Sequence, residues 1–159
     1  MTDDASQPRV QLEKSAAEPF YEGLVRGEHT ILGDERDKSP PVGSGEDHHP
    51  TPVDYLLWSL VACQAAVLSQ CLAKARVEEF AISADADIDQ AGAESVPEEM
   101  PTHTEKRIET IKIDLQLEVP EEYESRASRC LEVYNQGCIV GQSLLAGIDY
   151  TPNVTFVSD

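Results

Sequence analysis

The chain predicts an α+β protein with antiparallel sheet and helices gathered on one side of it. Three observations carry this: two runs of apolar and polar alternation at 80–89 and 111–119, one long uncharged segment at 55–73, and a 3.6-residue apolar period after Pro120. Taken in order, residues 9–32 read as short strands. Val10 and Leu12 alternate with polar neighbours, 20–25 and 29–32 follow, and Gly23, Gly27 and Gly33 supply bends. Residues 34–52 form a loop rich in Pro, Gly and charge. Its Gly43, Ser44 and Gly45 make no phosphate-binding fingerprint, because no strand feeds them at the required spacing.

A helix starts where that loop ends. Thr51 can cap, Pro52 suits the first helical position, and Asp54 completes a capping-box pattern three residues after the cap, so a helix is expected over 52–76. Its apolar character on nearly every side predicts burial on nearly every side. Next, Phe80, Ile82, Ala84, Ala86 and Ile88 share one face of a strand, and Ser83, Asp85, Asp87 and Asp89 share the other. An acidic connection over 90–103 leads to a second strand with Ile111, Ile113, Leu115, Leu117 and Val119 on one face, which predicts a hairpin. Tyr123, Ala127, Cys130, Leu131 and Tyr134 then mark an amphipathic helix to about Asn135 that stops at Gly137. Cys138 opens a shorter helix, Gly147 ends it, and Ile148, Tyr150, Val154 and Phe156 outline a final strand.

With 159 residues, 40% hydrophobic and 26% charged, the chain is expected to form one domain over 1–159 with a core that needs no disulfide or metal staple. Thirty Asp and Glu against 12 Lys and Arg give a net charge of -18, which excludes binding to nucleic acid or to an anionic membrane surface. Two readings of the acidity stand side by side: an ordinary solvated face, and adaptation to a salt-rich cytosol that screens self-repulsion. Residues 1–8 hold neither a basic nor an apolar signal region, so a cytoplasmic location is expected. The segment 55–73 is almost long enough to span a bilayer, but Gln64, Ser69 and Gln70 interrupt it and no basic cluster marks an end, so no membrane span is expected.

Four cysteines remain: Cys63, Cys71, Cys130 and Cys138. In a reducing compartment a structural framework is not the default. Cys63 lies on a stripe with Leu56, Leu60 and Val67, while Cys71 and Cys130 read as core residues. Cys138 opens a helical turn whose unpaired amides and dipole would favour a thiolate. No CxxC pair occurs and His48 and His49 are adjacent, so no metal site is expected.

The segment GSGEDHHPTPVDYLLWSLVACQA, followed about seventy-five residues later by CIVGQSLLAGIDY, resembles the OsmC and Ohr family of hydroperoxide-reducing proteins. Upstream, GEHTILGDER is similar to the Gly-x-His and Asp-Glu stretch of the OsmC-like branch, and the resemblance spans about residues 22–156. It implies an OsmC-like fold: a domain-swapped homodimer whose sheets wrap two long central helices, with active sites at the subunit interface. It implies further that Cys63 attacks a peroxide, becomes a sulfenic acid and is captured by Cys138 as a disulfide, which a dithiol reductant reopens; no metal or organic cofactor is needed. One departure stands out. The family's peroxidases carry, ten residues before the first cysteine, a Glu that works with an Arg from the N-terminal strands; here that place is Val53. Asp54 lies about 180° round the helix from Cys63 and roughly 13 Å away along its axis, and reads as a cap. Arg26 is the candidate cation. The expected activity is thiol-dependent reduction of organic hydroperoxides. The alternative is a non-peroxidatic OsmC-like dimer that binds a small apolar ligand or senses redox state.

Overall fold

Alternation at Val10 and Leu12 becomes β1 (Val10–Glu13), which pairs antiparallel with β2 (Tyr21–Val25), and β2 pairs antiparallel with β3 (His29–Gly33). The computed structural model describes residues 9–14, 20–34, 48–91, 107–149 and 152. Contacts divide the chain into two units, 1–58 and 59–159. In the first, β2 turns into β3 at Arg26 and Gly27, with φ of 52° and 69°, and Glu28 N–H donates to the Val25 carbonyl at 3.1 Å. Positive φ at both central residues matches the twist of the flanking strands. Gly23, expected as a bend, lies inside β2 opposite Ile31. A Cβ there would meet Ile31 Cγ1 at 2.9 Å, so close packing within the sheet and not a turn requires glycine. At the end of β3, Asp34 is buried. Its carboxylate accepts from His48 N–H at 3.1 Å and its own N–H donates to the Pro50 carbonyl at 3.1 Å, which joins the two ends of the loop. Gly43, Ser44 and Gly45 lie outside the described residues.

The helix α1 (Pro52–Lys74) starts as its capping residues dictate. Thr51 N–H donates to Asp54 Oδ2 at 2.8 Å and Asp54 N–H donates to Thr51 Oγ1 at 3.2 Å, so two orphan donors of the first turn are satisfied reciprocally. Tyr55 O–H donates to the Leu32 carbonyl, tying this turn to β3. The other end comes two residues earlier than the sequence predicts. Arg76 takes φ of 57°, Val77 N–H reaches back to Leu72 O at 3.0 Å and Arg76 N–H to Ala73 O at 3.1 Å, the Schellman pattern, with Val77 buried against the core.

The second unit holds β4 (Ala81–Ala91) and β5 (Arg107–Glu118), antiparallel as expected. Ile82, Ala84, Ala86 and Ile88 stand opposite Leu117, Leu115, Ile113 and Ile111 on one face. After Pro120, a 3₁₀ turn leads into α2 (Glu124–Val133); a second 3₁₀ turn at Tyr134–Gly137 replaces the last part of the helix expected to reach Asn135; and α3 (Ile139–Ala146) follows. Leu68, Leu72, Val77, Ala127 and Cys130 form the core, with Ile82, Leu115, Leu117, Val119 and Tyr123 packed against it. Each buried Leu contributes roughly 1.5 to 3 kcal/mol. Arg126 of α2 donates to the carbonyls of Ala75 and Arg76 at 3.4 and 3.1 Å, capping α1 from across the unit. Ile148 and Asp149 are not in a strand, and Tyr150, Val154 and Phe156 of the expected closing strand lie outside the described residues.

One expectation fails outright. By length and composition α1 is long and apolar enough to cross a membrane, yet it is not buried on nearly all sides: only Leu60, Gln64, Leu68 and Leu72 are buried, a single stripe at four-residue spacing. Trp58 is 68% exposed. Most of the other apolar residues of α1, among them Val53, Leu56, Leu57, Val61 and Val67, are half-buried.

The solvent face of the β4–β5 hairpin carries part of the acidity. Asp85 pairs directly with Asp114, Asp87 and Asp89 follow on β4, and Lys112 answers them, bonding Asp89 at 2.6 Å. That hydrogen bond, and then the charge of Asp89, push the Lys112 pKa up. Like charges directly opposite destabilise a sheet, and exposed charges are screened by salt. The thermal midpoint should therefore rise from low to molar KCl, and Asp114→Asn should raise the low-salt midpoint and flatten that rise. A midpoint indifferent to KCl would reject the salt-adaptation reading.

Candidate functional site

Within the second unit, four positions on one side of α1 meet four positions of the C-terminal helical segment in reverse order. Leu60 lies beside Gly141, the Cys63 side chain interacts with that of Cys138, Val67 lies beside Gly137, and Cys71 is bonded to Cys130. Spacings of three and four residues keep Leu60, Cys63, Val67 and Cys71 on one side of the helix. The two glycines allow the approach. A Cβ on Gly137 would meet Val67 Cγ1 at 2.9 Å, and one on Gly141 would meet Cys138 Sγ at 3.3 Å and Leu60 Cδ1 at 3.4 Å.

Cys63 is half-buried and Cys138 is fully buried, and both are free thiols. Cys138 caps α3 as its position after Gly137 predicts, its Sγ accepting from Gly141 N–H at 3.2 Å. The expected thiolate character does not follow. Burial pushes the Cys138 thiol above its ordinary value of 9.0, the Gly141 amide opposes this, and the hydrogen bond to Cys63 pushes it up further. Desolvation of a charged sulfur outweighs what one helix turn supplies. Cys138 is thus held in its protonated form more firmly than an ordinary thiol.

The other predicted site residues belong to the first unit. Arg26 is exposed at the β2–β3 turn in the first unit. Val53 is half-buried in the first turn of α1, where Asp54 is committed to the cap. The reading of Cys71 and Cys130 as separate core residues is corrected: they form a disulfide with Cα atoms 5.6 Å apart, closing a sequence separation of 59 residues. A signal was present in the equal spacing of eight residues between Cys63 and Cys71 and between Cys130 and Cys138. Gln64 was also missed as notable; it is buried on the α1 stripe and its Oε1 has no hydrogen-bond partner among the described residues. No group of three or more His, Cys, Asp or Glu that could hold a metal occurs among the described residues.

Antiparallel sheet, a long helix and a thiol pair between that helix and the C-terminal segment define the class. The family model of OsmC-like proteins matches residues 44–153, a span that holds both free cysteines, and the chain belongs to that family. The fold is similar to that of an OsmC-like protein of unknown function from Vibrio cholerae O1 biovar eltor, at TM-score 0.58 and 14% identity over 84% of this chain and 89% of that one. It is also similar to an OsmC-like protein from Mycoplasma pneumoniae, at TM-score 0.57 and 13% identity over 89% of each chain. No curated protein matches the sequence.

Proposed function

We propose that the protein is a thiol-dependent peroxidase that reduces organic hydroperoxides with Cys63 and Cys138 as its redox pair. The observation that carries this reading is the placement of two free thiols, one on α1 and one at the start of α3, near enough for Cys63 to act on the Cys138 sulfur. Cys63, the more accessible sulfur, attacks the terminal peroxide oxygen as thiolate. The O–O bond breaks, the alcohol leaves with a proton, and Cys63 becomes a sulfenic acid. The Cys138 sulfur then attacks the Cys63 sulfur, water leaves and the disulfide forms. A dithiol reductant returns both thiols by exchange. Arg26 is the cation assigned to hold the peroxide. The working unit is a cytoplasmic homodimer, because Trp58, Ile139, Leu145 and Ile148 are between 68% and 76% exposed and a second chain would cover them. Sedimentation at micromolar concentration should give about twice the 17.4 kDa chain mass; a well-folded monomer would reject the dimer.

One equivalent of cumene hydroperoxide should remove two thiols per chain and leave an internal Cys63–Cys138 disulfide. Val53, standing where the family's peroxidases carry Glu, favours a second reading, a dimer that binds a small apolar ligand or senses redox state. Thiols untouched by the peroxide would leave that reading in place of the first.

A further inference from the structure

We infer that Cys71 and Cys130 are positioning residues for disulfide closure: their bond sets the register in which the C-terminal helical segment presents the Cys138 sulfur to Cys63. Cys63 and Cys71 are eight residues apart, about 12 Å along α1, and Cys130 and Cys138 are likewise eight apart. The two sulfur pairs are rungs between segments that run in opposite directions, one rung covalent and one a pair of free thiols. Between the rungs the contact is Val67 against Gly137, and beyond the free pair it is Leu60 against Gly141. Glycines permit close approach but supply no side chain to fix a register.

The connection from the covalent rung to Cys138 is hydrogen-bonded throughout. Tyr134 N–H donates to Cys130 O, Cys138 N–H donates to Asn135 O at 3.3 Å, and Gln142 Nε2 donates to the same carbonyl at 3.1 Å. A constraint at Cys130 is therefore carried to Cys138. Separation along α1 prevents sulfur exchange between the rungs, so the second pair acts on the first through position and not as an electron relay. The bond forms when the Cys71 and Cys130 thiols pass two electrons and two protons to a low-molecular-weight disulfide, which leaves as two thiols. Cys130 is 2% exposed and Cys71 half-buried, which shields the bond from reductants.

The consequence for turnover rests on the two-cysteine cycle proposed above, whereas closure by diamide does not require peroxidase activity. The test compares the full-length parent with Cys71→Ser/Cys130→Ser and with the apolar pair Cys71→Ala/Cys130→Val, which restores packing without the covalent link. Diamide-driven closure of Cys63 with Cys138 is followed by thiol loss, and the alkylation rate of Cys63 by iodoacetamide is read by mass spectrometry. Both variants should close at least about fivefold more slowly, because small misplacements are costly in such steps, while Cys63 alkylates within about twofold of the parent. Closure at the parent rate in either variant would overturn the positioning role, since recovery in the apolar pair alone would mean that packing suffices. Four titratable thiols in parent protein isolated without reductant would also overturn it. A parent that closes rapidly with diamide but consumes no hydroperoxide would remove the peroxidase reading and leave the staple standing.

Discussion

Cys63→Ser should abolish hydroperoxide consumption, whereas Cys138→Ser should allow one turnover and trap a sulfenic acid on Cys63. The two sulfurs have unequal surroundings. Cys63 is half-buried on α1, and Cys138 is fully buried and held protonated, first by desolvation and further by its hydrogen bond to Cys63. A buried, protonated thiol is a poor first nucleophile but is well placed to capture a sulfenic acid beside it. In Cys138→Ser the hydroxyl cannot form a disulfide, so oxidation stops after one oxygen transfer. A dimedone adduct mapped to Cys63, with a stoichiometry of one per chain, would report this. A Cys63→Ser variant that still reduces cumene hydroperoxide at the parent rate would remove the peroxidase proposal. The raised pKa also has a sign for stability. The folded chain holds the Cys138 proton more tightly than the unfolded one, so this contribution is fully present below pH 9.0 and is lost as pH rises through the higher folded value. Chemical denaturation of the reduced protein across alkaline pH would show the decline, and Cys138→Ser should lack that component.

Much of this architecture was legible before any coordinates, for local reasons. Thr51, Pro52 and Asp54 announce the start of α1 because capping needs only residues three apart, and the alternation at Ile82 to Ile88 and Ile111 to Val119 announces the hairpin because a period of two has one structural meaning. The family resemblance singled out Cys63 and Cys138, which the fold brings together. What was not legible depends on distance in the chain or on competing energies. A helical wheel places Cys71 and Cys130 on apolar stripes of their own helices, but their meeting across 59 residues is decided by how α2 lies on α1. The dipole at the start of α3 is readable from Gly137 and Cys138; the desolvation that overrides it depends on Val67, Leu60 and two glycines converging from both segments. The half-buried apolar sides of α1 are a third case, since composition predicts burial without saying how far the rest of the fold supplies it.

Removing the Cys71–Cys130 bond should cost far more than the loss of two ordinary core thiols. A Ser in place of a buried Cys costs about 1 to 2 kcal/mol as a core substitution. The bond adds a constraint on the unfolded chain, and for a loop closed over 59 residues the chain-entropy relation gives about 4 kcal/mol. For a chain of this length that corresponds to a fall in thermal midpoint on the order of 10 °C. The site also gives reason to expect the cost in full, because Cys130 is in the central core with Leu68, Leu72, Val77 and Ala127, so α2 has little room to relax around a lost bond. Calorimetry on Cys71→Ser/Cys130→Ser and on parent protein reduced with excess dithiothreitol separates the two contributions. If the covalent link carries the larger part, the reduced parent should fall on the order of 10 °C and the double variant clearly further, since both lose the link and only the variant loses the thiols. A reduced parent that melts at the oxidised temperature would show that packing alone holds α2 on α1, and the constraint on the unfolded chain would then have no measurable part in the stability of this fold.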